Sequence, residues 1–168
     1  MHFTCKIQTP LGEMLAASDG SALTGLWFEG QKHFAAGLNL PGEAKKLPLF
    51  DEVKRQLEDY FNGSLRRFSV ALRPHGTPFC QSVWHLLEEI VYGETVAYGE
   101  LAARLSAETN RKTSARAVGT AVGLNPISII IPCHRVVGAG GKLTGYAGGL
   151  ERKRSLLKIE GVRLETLK

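Results

Sequence analysis

A short apolar run bounded by two prolines is the strongest local constraint in this chain of 168 residues. Pro126 and Pro132 enclose the β-branched stretch 128–131, which is too short for a helix and indicates a buried strand. Proline cannot donate to a sheet ladder, so the predicted strand ends at Pro132. Cys133 and His134 follow at once. The sequence therefore predicts that a rigid scaffold presents a cysteine and a histidine where a strand ends and the chain turns.

The composition is that of a globular protein, with 43% hydrophobic and 22% charged residues. The length suits one domain or two small ones. No apolar run of about 18 residues is present, and the N-terminus lacks the order of a signal peptide, so we expect no membrane association. The cysteines at 5, 80 and 133 are too few and too scattered for a disulfide framework or a zinc site. Cys5 and His33 alone do not make a ligand set. We therefore expect no metal and a reducing, cytoplasmic setting, at the nucleoid if the organism is prokaryotic.

The surplus of positive charge belongs to the second half of the chain. Residues 1–93 carry 9 basic and 10 acidic side chains, whereas residues 94–168 carry 12 and 6. This asymmetry suggests an anionic partner for the second half, nucleic acid being the common one. A solvated basic face explains a charge of this size equally well, so the charge alone does not decide.

The first half has the pattern of an antiparallel sheet followed by a helix. Three strand-like runs with turns between them occupy residues 2–28, and no regular period appears over 30–46. Apolar residues at helical spacing predict an amphipathic helix over 48–61. A further strand is expected over 66–72, and a linker follows over 73–76. We place the domain boundary after residue 76.

The second half is predicted to be mostly helical. Thr77 as N-cap and Pro78 at the first helical position begin a helix that ends before Gly93. Its predicted buried stripe consists of Phe79, Val83, Leu86, Leu87, Ile90 and Val91. A helix of about two turns from Tyr98, a polar interruption over 106–112 and a second helix over 113–124 match a helix-turn-helix. A last helix is expected over 150–159.

The second helix of this pair carries one arginine, Arg116, among small residues: Ser114, Ala115, Ala117, Gly119, Ala121 and Gly123. Glycine costs a helix about 1 kcal/mol relative to alanine, so two glycines need a reason. Close approach to a partner is one reason, and close packing against another helix is the other. The residues by themselves leave these interpretations equal.

Cys133 is the cysteine whose surroundings suggest reactivity. A free thiol has a pKa of about 8.5, so a nucleophile needs a base or a positive field nearby. Adjacent residues of an extended chain point to opposite sides, so His134 would reach Cys133 only through a water or a bend. Glu160, at the end of the last predicted helix, is a candidate to orient the imidazole. The residues thus indicate a candidate nucleophile beside a basic, helical element.

The run Ile131-Pro-Cys-His-Arg-Val136 resembles the active-site signature of the O6-alkylguanine-DNA alkyltransferases, the methylated-DNA–protein-cysteine methyltransferases. Further matching blocks stand in family order over residues 77–162: Tyr98 with Leu101-Ala-Ala, Ala115-Arg-Ala-Val-Gly119, Asn125-Pro126, Gly145-Tyr146-Ala-Gly-Gly149 and Glu160-Gly161. The first 76 residues resemble the variable N-terminal domain only in the order and size of their elements. The resemblance implies an α+β fold. Residues 1–76 would form a ribonuclease H-like domain, an antiparallel sheet with a helix. Residues 77–168 would form a mostly helical domain with a helix-turn-helix and an active-site strand or loop.

The resemblance also implies a chemistry without a cofactor, in which each molecule acts once. Cys133 would take the alkyl group from O6 of a flipped-out guanine, or from O4 of thymine, by direct displacement. His134 would act as base through a water, and Glu160 would hold its tautomer. The Tyr98 hydroxyl would donate to guanine N3, and Asn125 would tie the helix end to the active-site strand.

The implied substrate pocket is built largely from backbone groups. The carbonyls of Cys133 and Val136 would accept from the base, the amide of Ala147 would lie near O6, and Tyr146 would form a wall. Ser128 stands where some members of the family have proline, which suggests that bulkier alkyl groups are admitted.

The implied partner is double-stranded DNA containing alkylated guanine, bound by a monomer, with cooperative binding left open. The second helix would enter the minor groove through its small residues, Ser114, Ala115, Ala117 and Gly119. Arg116 would fill the gap left by the extruded nucleotide. Arg135 is a further expected DNA contact. The segment 106–114 is longer than the family pattern, and Arg111 and Lys112 in it are candidates for phosphate contacts.

Three other functions remain open on the sequence. A non-catalytic protein of the same fold would bind alkylated bases without transfer, although a cysteine at position 133 argues against it. A thiol hydrolase using Cys133 and His134 would turn over and would not need Arg116. A helix-turn-helix transcription regulator would leave Cys133 unexplained.

Overall fold

The computed structural model describes residues 1–38 and 42–167, which divide into two compact units. The first unit consists of Met1–His75 together with Pro126–Ser128, and the second consists of the remaining described residues from Gly76 onward. Residues 126–128, which the sequence placed in the C-terminal domain, thus belong with the first unit.

The first unit is a four-stranded sheet with one helix. Its strands are β1 (Phe3–Thr9), β2 (Gly12–Ser18), β3 (Leu23–Phe28) and β4 (Glu43–Ala44), in the order β3-β2-β1-β4. Strand β2 pairs in the antiparallel direction with both β1 and β3, which confirms the predicted meander. Strand β4 lies inside the segment predicted as loop and pairs in parallel with β1. Part of that segment, 39–41, lies outside the described residues. Helix α1 (Pro48–Phe61) has the predicted bounds and buries the apolar stripe on which the prediction rested.

The predicted strand over 66–72 does not form. Only its end pairs, because Leu72 forms an isolated parallel bridge with Leu23. Upstream, the Ser69 amide donates to the buried side chain of Gln56 at 2.9 Å, and the Gln56 amide group donates to the Ser69 hydroxyl at 2.9 Å. The segment therefore bonds to a side chain of α1 instead of joining a sheet ladder.

The strand predicted over 128–131 is also wrong. The amide of Leu26 donates to Pro126, and the amide of Ser128 donates to Leu26, so pairing with β3 is limited to one bridge at Ile127. Ile129 then adopts a left-handed conformation with φ of 70°, which ends the extended chain within a buried turn. A β-branched residue rarely has a positive φ, so the packing around this turn overrides the local preference for a strand.

The second unit contains four α-helices, and each starts or ends at a recognisable signal. They are α2 (Pro78–Glu88), α3 (Tyr98–Thr109), α4 (Ala115–Gly123) and α5 (Leu150–Ile159). The Thr77 hydroxyl accepts from the Cys80 amide at 3.2 Å, which confirms the predicted cap, and α5 has its predicted bounds. Two short strands, β5 (Val96–Ala97) and β6 (Val136–Val137), pair in parallel.

Helix α2 ends at Glu88, earlier than predicted, and the buried residues over 79–91 differ from the predicted stripe at two positions. Phe79 is 38% and Val91 60% exposed, so neither belongs to the core. Trp84 is buried instead, and its indole N–H donates to the Ala121 carbonyl of α4 at 2.9 Å. This bond fixes α4 against α2.

Helix α3 is longer than the two turns expected, and the connection to α4 is correspondingly shorter. The hydroxyls of Ser106 and Thr109 donate to carbonyls one turn back, so these polar residues continue the helix. Asn110 then ends it in the left-handed conformation, with φ of 55°. Only residues 110–114 connect the two helices, and the long interruption predicted over 106–112 is wrong.

Candidate active site

The site is built around one turn of 3₁₀ helix, Cys133–Arg135, in the second unit. The Cys133 amide donates to the Ile131 carbonyl at 2.8 Å, and the Arg135 amide donates to Pro132 at 3.0 Å. Because the backbone is turned here, adjacent side chains are not forced to opposite sides as they are on a strand. The bend that a Cys–His pair requires is therefore present.

The Cys133 side chain is 6% exposed and lies beside Asn125, which follows α4. The side-chain amide of Asn125 donates through Nδ2 to the Ile131 carbonyl at 2.8 Å and so ties the end of α4 to the turn. Burial raises the pKa of the Cys133 thiol, and the Asn125 side chain and the Lys153 charge oppose that shift only in part. The thiol therefore needs a base before it can act as a nucleophile.

His134 is fully buried, and its Nε2 lies 2.5 Å from Oε2 of Glu160. Burial lowers the pKa of His134 and outweighs the opposite effect of Glu160. The neutral ring must then donate its Nε2 proton to the carboxylate, which leaves Nδ1 as an acceptor. Nδ1 has no hydrogen-bond partner among the described residues. This tautomer is the one that a general base requires.

Glu160 stands at the end of α5 and accepts hydrogen bonds from groups that come from outside that helix. In addition to His134, the Gly93 amide donates to Oε1 at 3.1 Å, and Arg135 donates through Nε at 2.7 Å and Nη2 at 3.3 Å. Burial alone would raise the pKa of Glu160, but the hydrogen bonds and charges of His134 and Arg135 lower it to about 2. The carboxylate is therefore ionised at any physiological pH.

The structure contradicts the expectation that Arg135 contacts DNA. Its side chain is 7% exposed, Nη1 donates to the Ile90 carbonyl at 2.6 Å, and the guanidinium lies 5.8 Å from the ring centre of Tyr92. With its donors turned towards Glu160 and Ile90, Arg135 has no exposed group for a phosphate.

Sequence reasoning missed Lys153, a fully buried lysine of α5. Its ammonium group donates to three carbonyls: Val136 at 2.6 Å, Thr144 at 2.7 Å and Gly145 at 3.1 Å. Burial lowers its pKa to about 8, against an opposing effect of Cys133. Lys153 stands three residues before Leu156, which puts it on the buried face of α5. This helical spacing is the sequence feature from which its burial could have been predicted. It holds the carbonyl of Val136, a predicted pocket residue.

Tyr98, the first residue of α3, is half-buried near the thiol. Burial raises the pKa of its phenol and the charge of Cys133 adds to this, while a hydrogen bond with Thr144 opposes it. A Cβ at Gly119 would lie 3.7 Å from the Tyr98 ring, so α4 passes directly beside this tyrosine. The structure thus brings Tyr98, Cys133 and Gly119 together.

The remaining predicted pocket residues have different surroundings. Tyr146 and Ala147 are half-buried in the irregular segment 142–149, whose carbonyls at 144 and 145 bind Lys153. Ser128 is 2% exposed, and its hydroxyl donates to Gln31 at 3.3 Å within the first unit. The role of Ser128 in the pocket and the tolerance of bulkier alkyl groups stay predictions.

Helix α4 presents its first turn to solvent. Ser114 caps the helix by accepting from the Ala117 amide at 3.1 Å. Ser114, Ala115 and Arg116 are exposed, while Ala117 and Gly119 are half-buried. The single arginine thus projects from a surface of small residues.

The part of the chain that the structure describes contains neither a metal-binding cluster nor a membrane-spanning helix. Over 1–38 and 42–167, no group of three or more His, Cys, Asp or Glu side chains is placed to hold a metal ion. Within the same ranges, no helix has the length and apolar character needed to cross a membrane.

The buried carboxylate makes the fold sensitive to acid. The pKa of Glu160 is about 2 in the folded chain against 4.5 ordinarily, so the unfolded chain binds more protons between these values. The free energy of unfolding should therefore fall as the pH drops from 4.5 towards 2, by on the order of 3 kcal/mol. The lowered pKa of His134 adds to the loss as the pH falls below 6.5.

Urea unfolding at pH 7, 5 and 3 tests this prediction. Glu160→Gln should weaken the dependence below pH 4.5, whereas Glu151→Gln, at an exposed position of the same helix, should leave it unchanged. An equal pH dependence in both variants would contradict the assignment.

Comparison with known proteins places the whole chain in one class. Residues 3–74 match the family model described as 6-O-methylguanine DNA methyltransferase, ribonuclease-like domain, and residues 78–162 match its DNA binding domain. The methylated-DNA–protein-cysteine methyltransferase of Methanosarcina acetivorans is 49% identical, over 92% of this chain and 95% of the relative. That of Haemophilus influenzae is 46% identical, over 92% and 83%. The crystal structure of Mycobacterium tuberculosis OGT in complex with DNA has a TM-score of 0.82 at 45% identity, covering 95% of this chain and 91% of that one.

The fold and these matches define a DNA repair protein of the direct-reversal class, in which an alkyl group passes to a cysteine of the protein itself. The chain belongs to the 6-O-methylguanine DNA methyltransferase family. This confirms the resemblance and the α+β fold class inferred from the sequence.

Proposed function

We propose that this protein removes the alkyl group from O6 of guanine in duplex DNA by transferring it to Cys133, and that each molecule acts once. The observation that carries the proposal is the buried Cys133–His134–Glu160 arrangement, in which a neutral imidazole is held by an ionised carboxylate. O4-alkylthymine is a second candidate substrate, because it carries the alkyl group on a comparable exocyclic oxygen.

The first step is removal of the thiol proton. His134 takes it at Nδ1 through a water, and Glu160 stabilises the resulting imidazolium through Nε2. Asn125 and the Lys153 charge both favour the thiolate of Cys133. The base, its orienting group and the positive field needed for an activated thiol are thus all supplied from α5, the end of α4 and the turn itself.

The second step is a displacement at the alkyl carbon. The sulfur of Cys133 forms a bond to that carbon as the bond to guanine O6 breaks. Tyr98 gives its phenolic proton to N3, so the guanine leaves as a neutral base, and Tyr98 and His134 then exchange protons with solvent. The product is a thioether, which water does not hydrolyse, so the protein is not regenerated.

The base is held by backbone groups around the turn. The carbonyls of Cys133 and Val136 accept from its amino group, the amide of Ala147 donates towards O6, and Tyr146 covers the ring. Because a carbonyl has two lone pairs, Val136 can bind Lys153 and the base together. Lys153 thereby orients the carbonyl that receives the base.

The damaged base reaches this site by leaving the DNA double helix. The minor groove is about 6 Å wide, and the small residues at the start of α4 allow the close approach that it requires. Arg116 occupies the space of the extruded nucleotide and lowers the cost of unstacking. Arg111 and Lys112, both exposed in the connection 110–114, contact phosphates.

We further propose that the protein acts as a monomer in the cytoplasm, with residues 1–76 as its first domain and residues 77–168, apart from the segment 126–128, as its second. Cysteine chemistry that needs a free thiol suits a reducing compartment. Cooperative binding along DNA is compatible with this assignment.

A stoichiometric titration separates the proposal from its alternatives. With excess duplex containing O6-methylguanine, we expect methyl transfer to stop at one methyl per protein molecule. Continued turnover would favour a thiol hydrolase, and tight binding without transfer would favour a non-catalytic reader of alkylated bases. Equal binding to undamaged duplex and no transfer would favour a transcription regulator.

A further inference from the structure

Arg135 follows the candidate base in the chain, yet the proposed reaction does not use it. Its guanidinium donates to Glu160 through Nε at 2.7 Å and through Nη2 at 3.3 Å. His134 binds the same carboxylate at 2.5 Å. Glu160 is therefore shared by His134 and Arg135, whose side chains are both almost completely buried.

The charges of this group balance only when His134 is neutral. The positive Arg135 and the negative Glu160 then cancel. A proton on His134 would place a second cation on one carboxylate, and Lys153 would add a third positive charge nearby. Uncompensated charge in a buried site is costly, so the arrangement disfavours the protonated ring.

The groups that face His134 come from two elements. Glu160 and Lys153 approach from α5, and Arg135 and the Cys133 thiol belong to the same turn as the histidine. Glu160 favours the charged ring, whereas Arg135 and Lys153 disfavour it. Arg135 is the cation that binds Glu160 directly, and it therefore offsets the carboxylate most effectively.

We propose that Arg135 is a positioning residue that occupies the second edge of the Glu160 carboxylate and so keeps His134 uncharged and able to accept the proton of Cys133. This role rests on the proposed function of His134 as the base. It also explains why an arginine stands in the active-site turn without an exposed group.

The consequence is a defined pH dependence. Without the charge of Arg135, Glu160 acts on His134 alone, and the pKa of His134 rises. A ring that is already protonated cannot accept the thiol proton. The acid limb of the pH–rate profile should then move to higher pH, while the rate above that limb is retained.

The experiment measures the reaction of the full chain with free O6-benzylguanine between pH 5.5 and 9, so that DNA binding does not contribute. Arg135→Met removes both charge and hydrogen bonds, Arg135→Gln removes the charge but keeps one donor, and Arg135→Lys keeps the charge. We expect both neutral variants to shift the acid limb upward by about one pH unit, which is about tenfold in rate on that limb. Arg135→Lys should stay close to the wild type. Arg154→Met, at an exposed position of α5, is the control and should change nothing.

Titration of the His134 ring nitrogens by NMR gives a second readout that does not depend on activity. We expect its pKa to rise in Arg135→Met and Arg135→Gln but not in Arg135→Lys. An unchanged pKa and an unchanged acid limb in the folded neutral variants would overturn the inference. So would an equal shift in Arg135→Lys, since the hydrogen-bond geometry and not the charge would then matter. If the wild type transferred no alkyl group at any pH, the proposed function would fail, while the NMR titration would still decide the role of Arg135.

Discussion

Replacement of Cys133 by serine is expected to abolish alkyl transfer from duplex DNA containing O6-methylguanine, with a loss of at least about 10³-fold in rate. A hydroxyl is far less acidic than a thiol and is a much weaker nucleophile towards an alkyl carbon, so His134 activates it far less than it activates a cysteine. Serine is nearly the same size, so the buried turn should keep its structure. The measurement is the rate at which the methyl group disappears from the DNA.

Cys80→Ser is the matched control for this prediction. Cys80 is also buried, at 7% exposure, but it lies in the first turn of α2 and not beside the histidine. We expect it to retain full transfer. Transfer that survives Cys133→Ser, or that is lost in a folded Cys80→Ser protein, would contradict the assignment of the acceptor.

Arg116→Ala is expected to slow the repair of duplex DNA by about 100-fold and to leave the reaction with free O6-benzylguanine within about twofold of the wild type. Unstacking a base costs a few kcal/mol, and each 1.4 kcal/mol changes the rate about tenfold. Arg116 is exposed on α4 and does not belong to the buried Cys133–His134–Glu160 arrangement. Its effect should therefore be confined to substrates that must be extruded from a duplex.

Arg154→Ala serves as the charge-matched control for Arg116, because both arginines are exposed. It should lower the duplex rate only slightly. Equal losses on duplex and free base in Arg116→Ala would indicate damage to the active site and would count against the proposed role. An unchanged duplex rate would exclude Arg116 from base extrusion.

Elements with local start and stop signals could be predicted from the sequence. Apolar residues at helical spacing predicted α1, and Thr77 with Pro78 predicted the start of α2. The strands β1 to β3 were predictable because turn residues separate apolar runs of ordinary strand length. The histidine and the glutamate of the site were both identified, and the structure places them in contact.

Features that depend on distant partners could not be predicted. The run 128–131 has strand-forming residues, yet Ile129 takes a left-handed conformation within a buried turn. The burial of Lys153 depends on three carbonyls from residues 136, 144 and 145. Arg135 was expected to contact DNA on the resemblance alone, and only the position of Glu160 shows why its side chain is buried.

Mass spectrometry of the protein after reaction with O6-methylguanine duplex tests the central claim most directly. We predict one added methyl group per molecule, located on the peptide that contains Cys133 and absent from the peptides that contain Cys5 and Cys80. A methyl group on any other residue, or a protein that consumes the lesion while its own mass stays unchanged, would contradict the account.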